Sequence, residues 1–126
     1  MATSLLNRDI NQGEIHVEVE LVSDASGDAS ITVTGLPKRK WCMQWVINPD
    51  GTDVPTASFD ITAVDSNGAD LMNGQGADLS ETATTTIDVA SNGNGALAEG
   101  DITITGAAMG NAKKAIVILY GSLYLP

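Results

Sequence analysis

"EIHVEVELV", residues 14–22, decides the fold class. Ile15, Val17, Val19 and Leu21 fall on one side of an extended chain, and His16, Glu18 and Glu20 fall on the other. A period of two with acids on one side describes a half-buried strand with a wet outer face. The pattern recurs. "SITVT" (Ser30–Thr34) repeats it after the turn "SDASGD", and "WCMQWVI" (Trp41–Ile47) follows, closed by "NPDG" at 48–51. "ASFDITAV" (Ala57–Val64) sets Phe59, Ile61 and Ala63 on one face. "TATTTIDV" (Thr82–Val89) and "DITIT" (Asp101–Thr105) add two more runs. "AIVILYGSLYL" (Ala115–Leu125) is apolar on both faces at first, as a central strand is, with Gly121 a candidate break. "AAMGNAKKA" (Ala107–Ala115) suits a loop or one helical turn.

Six to eight short strands separated by turn clusters predict an all-β domain, an antiparallel β-sandwich or jelly-roll-like knob rather than an up-and-down barrel. Residues 1–13 lack alternation and read as an extended N-terminal arm, leaving 14–126 as a single sandwich domain. With 126 residues, 43% of them hydrophobic, a real core is expected, and with aromatics at 4% it must be mainly aliphatic.

Charge limits the partners. Sixteen acids against six bases give a net charge of −10, which disfavours nucleic acid, since duplex binding relies on Lys and Arg. No run approaches the length of a membrane span, and "MATSLLNRDINQGE" lacks the basic and apolar regions of a secretory signal. The lone Cys42 provides neither an internal disulfide nor a multi-cysteine zinc site. These features predict a protein made in a cytoplasm.

No catalytic constellation stands out, and no enzyme activity or cofactor is expected. "VDSNGADLMNGQGADLS" (64–80) places oxygen side chains around a glycine from Asp65 to Asp70, as a calcium loop does, but position twelve is Gly76 rather than a bidentate Glu. Tight-turn chemistry explains the same residues, and "NPDGTD" (48–53) is read the same way. "GQGADLS" (74–80) lacks the helix and the Lys of a phosphate loop. His16, between Glu14 and Glu18, reads as a solvated residue, and Cys42 as a buried inert thiol. No two carboxylates are singled out for glycosidase chemistry.

"KRKWCMQW" (38–45) gathers half of the bases beside both tryptophans. It reads either as a strand end followed by core indoles or as a contact patch of Lys38, Arg39, Lys40 and Trp41; Trp45 suits the core and Arg39 suits contact. In the arm, Leu5, Leu6 and Ile10 are apolar around Arg8, which suits a partner's carboxylate. Near the end, Leu-Tyr-Leu makes Tyr124 a further contact candidate.

"PTASFDITAVDSNGADLMNGQGADLSETATTTIDV" followed by "GALAEGDITITGAAMGNAKKAIVILYGSLYL" resembles a module common among tailed-phage virion proteins encoded near the capsid genes. The matching pieces are Pro55-Thr56, Phe59-Asp60, Asp65–Asp70, Gly74–Gly76 and Ile116–Tyr120, within residues 54–121. They are structural rather than chemical motifs. The resemblance implies a capsid decoration (cement) protein, or another head or tail component. It further implies the major capsid protein lattice as partner, a homotrimer, and a place on the capsid exterior. The alternatives are a head–tail connector or tail component, and an acidic β-sandwich carbohydrate-binding module displaying some of Trp41, Trp45, Tyr120, Tyr124 and Phe59.

Overall fold

The computed structural model describes residues 3–11, 13–37, 39–88, 96–98 and 100–122, and within the strands at 39–42 and 96–98 it describes backbone only. Among these residues there are nine strands and no helix: β1 (Ser4–Asn11), β2 (Glu14–Val22), β3 (Ala29–Val33), β4 (Arg39–Pro49), β5 (Asp60–Val64), β6 (Thr85–Asp88), β7 (Ala96–Ala98), β8 (Ile102–Ala107) and β9 (Lys114–Ser122). They form two antiparallel sheets. The larger runs β1-β2-β9-β4-β6, with β7 pairing the start of β4, and the smaller runs β3-β8-β5. The protein is therefore an antiparallel β-sandwich.

The alternation read from the sequence is what packs the layers. Ile15, Val17, Val19 and Leu21 of β2 are buried, as are Met43, Trp45 and Ile47 of β4 and Ala115, Val117 and Leu119 of β9. Phe59, Ile61 and Ala63, expected to share a face, are all buried from the opposite sheet, with Ile102 and Ile104 of β8 beside them. Few aromatics are available, and Met43, Met72 and Met109 join Trp45 and Phe59 among the large, fully buried side chains of the core.

Three local expectations change. Residues 4–11 of the expected arm are extended, but they pair with β2 from Glu14 to Glu20 as an edge strand. All eight residues of β1 are exposed, which is why they carry no alternation: neither face is buried. β9 passes through Gly121 without a break, because Gly121 is paired with both Ile15 and Met43. Between β8 and β9 the chain is a loop, turning at Ala108, Gly110 and Ala112 with positive φ, rather than a helical turn.

Residues 65–80 form neither hairpin nor strand. They fold back along the free side of β5: Leu71 N donates to the Ala63 carbonyl (2.6 Å), Ile61 N to that of Gly76 (2.7 Å) and Leu79 N to that of Phe59 (2.8 Å). The two apolar patches in this polar segment thereby reach the core, with Leu71, Met72 and Leu79 buried. Gly76 is required by close approach, since a Cβ there would lie 2.0 Å from the Ile61 carbonyl oxygen.

Candidate functional surface at the β1 edge

The outermost strand of the large sheet gathers four of the expected contact residues. Leu5, Leu6 and Ile10 are 46%, 49% and 41% exposed, and Arg8 lies between them. Leu5 pairs with Val19, Arg8 with Val17 and Ile10 with Ile15, so these three face the same way as the core residues of β2 but lie beyond the buried interior. A β-bulge falls between Leu5 and Asn7, at Leu6. Gly13, at φ 84, completes the turn into β2.

Arg8 is exposed and also has a contact within the chain. Its Nη1 donates to the Thr34 carbonyl at 2.5 Å, bracing the edge strand against the end of β3, and a Cβ on Gly35 would approach that same nitrogen to 2.7 Å. Thr3 provides a second tie, exchanging hydrogen bonds between its hydroxyl and the backbone of Val22 at 3.0 and 3.2 Å. Arg39, Lys40 and Trp41 lie in β4 opposite β7, with backbone alone described, while Lys38 and Tyr124 fall outside the described residues. The basic patch is thus placed along β4, away from β1. The Cys42 thiol also lies outside what is described. Trp45 occupies the core, as its spacing suggested, with a buried Nε1 lacking a hydrogen-bond partner.

A second feature adjoins β1 on the opposite, outward face of the sheet. Strand register lines up Asp9, His16, Tyr120, Gln44 and Asp88 in a row across β1, β2, β9, β4 and β6. His16 is half-buried rather than fully solvated: its ring stacks on Tyr120, with centroids 4.9 Å apart and planes 10° from parallel. Asn7 Nδ2 lies 3.4 Å from His16 Nδ1, and Glu18 Oε2 lies 4.0 Å from Nε2. A depression of about 540 Å³ opens beside this pair, lined by Asp9, Asn11, Glu14, His16, Tyr120 and Gly121 among others. The sequence offered no sign of it, because the pairing of His16 with Tyr120 is set by long-range register.

The aspartate-rich loops act as turn formers. Asp65 Oδ1 accepts from the backbone N–H groups of Asn67 (3.0 Å) and Ala69 (3.2 Å). Asp70 accepts from Met72 (3.1 Å) and Gly74 (2.9 Å). Asp50 Oδ2 accepts from Asp53 (2.6 Å) and Thr52 (3.0 Å), and these bonds, assisted by the Lys114 charge, hold its carboxyl below the usual carboxylate range. Among the described residues no group of three or more His, Cys, Asp or Glu side chains could hold a metal ion, and no helix is long and apolar enough to cross a membrane.

No family model matches the chain, and no curated protein matches it. Solved structures similar to it include a Streptococcus pneumoniae fucose binding module (15% identity, TM-score 0.45, covering 97% of this chain and 93% of that one). A cupin domain from Bordetella pertussis is similar at 10% identity and TM-score 0.38, covering 96% and 94%. The cyanophage Pam1 capsid asymmetric unit is similar at 16% identity and TM-score 0.36, covering 98% and 94%. At TM-scores below 0.5, none of these likenesses bears on what the chain does.

Proposed function

We propose that this chain is a non-enzymatic virion protein that binds the outer surface of an icosahedral phage capsid and cements neighbouring subunits. One observation carries the reading: a sandwich covered along β5 presents, at β1, a long uncovered edge studded with exposed Leu5, Leu6 and Ile10. Such an edge is a liability in a free protein and an asset in one that docks. The sequence resemblance over residues 54–121 supports the same conclusion. A ligand that binds only the assembled lattice stabilises it by mass action, and trimers bridging several subunits multiply that effect.

Of the aromatics that a carbohydrate platform would need at the surface, Trp45 and Phe59 are fully buried and Tyr120 is 44% exposed, while the Trp41 side chain and Tyr124 lie outside the described residues. A head–tail connector or tail component would use the same edge with a different copy number. The test is co-sedimentation of purified protein with expanded capsids and with precursor shells. Decoration of expanded shells in many copies, in multiples of three, is the expected result. Failure to bind either shell, or a single ring of copies per particle, overturns the reading.

A further inference from the structure

We propose that the corner formed by Asp9, Glu14, His16 and Tyr120 receives an arginine or lysine side chain of the protein on which this chain docks. The proposal rests on the docking reading above and adds the chemistry of the partner.

The corner is a depression rather than a flat surface, of about 540 Å³, and it adjoins the exposed edge strand. Asp9 and Glu14 supply two carboxylates to it, and neither has an ion-pair partner among the described residues. Tyr120 supplies an aromatic ring that is 44% exposed and held in place by its stack on His16. Two acids beside a fixed aromatic ring suit a cation: the carboxylates accept charge-assisted hydrogen bonds, and the ring adds a cation–π contact. A planar guanidinium can use both at once.

The surroundings select the rest of the partner. Beyond Tyr120, the outward side of β9 and β4 carries half-buried Ile116, Ile118 and Val46, and none of the described residues forms a layer over them. Along their β2 side stand Glu18 and Glu20, paired with Ile118 and Ile116. An apolar strip bordered by acids calls for a segment with apolar side chains flanked by bases. A second copy of this chain, at net charge −10, would set acid against acid on this face. The occupant is therefore a different, basic protein segment.

The test titrates the full chain with a short arginine-containing peptide amide, the same peptide with glutamate in place of arginine, and a methyl glycoside, all followed by NMR. The expected result is that the arginine peptide alone perturbs Asp9, Glu14, His16 and Tyr120. Asp9→Asn combined with Glu14→Gln should weaken binding about tenfold, Tyr120→Leu should weaken it too, and Tyr120→Phe should retain it. Equal perturbation by the glutamate peptide, shifts spread evenly over the acidic faces, indifference to the substitutions, or a response to the glycoside alone would each overturn the proposal. The Asp9→Asn/Glu14→Gln protein is then offered to expanded shells. If wild type decorates them and the variant binds as tightly, the corner is wrong and the docking reading stands. If wild type does not decorate them, the docking reading fails, and the peptide titration still decides the corner.

Discussion

At β5 the small sheet ends beneath residues 70–79, whereas at β1 the large sheet ends in open solvent. The first edge is satisfied by backbone hydrogen bonds at Phe59, Ile61 and Ala63 and sealed by Leu71, Met72 and Leu79. The second presents eight exposed residues, three of them large and apolar. Unpaired strand edges invite association, and the chain manages the hazard at one side while leaving it at the other. Covering an edge takes a long, glycine-punctuated segment with its own apolar anchors. β1 is instead held from one side, by its pairing with β2 and by the Arg8 and Thr3 hydrogen bonds.

Breaking the covered edge should produce the largest effect. Gly76→Ala places a methyl against the Ile61 carbonyl oxygen and must lift the segment off β5, costing about 2–4 kcal/mol. Urea unfolding measures this; a loss below about 0.5 kcal/mol would mean that the segment is not pinned there. Met72→Ala tests the same cover from the core side and should cost about 2–5 kcal/mol through the cavity it leaves.

The bare edge should respond in the opposite sense. Deleting residues 2–12 removes no buried side chain among those described, so the cost is confined to the β1–β2 ladder and the Arg8 and Thr3 hydrogen bonds, and stability should fall by about 1–3 kcal/mol without loss of the core. Binding to expanded shells should weaken by about tenfold or more, roughly 1.4 kcal/mol. A truncated chain that decorates as tightly as the full one would refute the role of β1, and one that cannot fold would make β1 part of the sandwich's foundation.

The turn carboxylates should have the smallest effects. The folded-state pKa of Asp50 is lowered by its bonds from Asp53 and Thr52, so its contribution is present above the unfolded carboxylate pKa and is lost as pH falls through the folded value. Asp50→Asn should therefore lower stability slightly at neutral pH, where the contribution is present, change it least in acid, and so flatten the acid limb of the stability profile. Asp65 and Asp70 are occupied by backbone N–H groups, so millimolar calcium and EDTA should give the same melting temperature. A rise of several degrees with calcium would show that the segment covering β5 takes up metal.

The legible part of the fold was the part with two unlike faces. β2 and β5 carry side-chain alternation because one face of each is buried, while β9, apolar on both faces, could be read as a central strand, which its place between β2 and β4 matches. β1 could not be read as a strand, because a strand exposed on both faces leaves no periodic trace. The cover at 65–80 was legible as turns, from its Asp and Gly residues, but its destination was not. The segment meets β5 and the residue before it through single bridges, Val64 with Asp70 and Phe59 with Leu79, which no short-range pattern encodes. The contact residues Leu5, Leu6 and Ile10 were visible as apolar residues out of place. The His16–Tyr120 pair was not, since it depends on a register between distant strands.

That same register has a consequence for how the chain acquires its shape. β2 begins at Glu14, and the strand it needs on its inner side begins at Lys114. Until β9 is synthesised, β2 and β4 have no strand between them. Topologies closed by such distant pairings fold slowly, because the entropy of loop closure precedes any reward. A net charge of −10 sets copies of the chain in mutual repulsion, which opposes association while the sheet is incomplete.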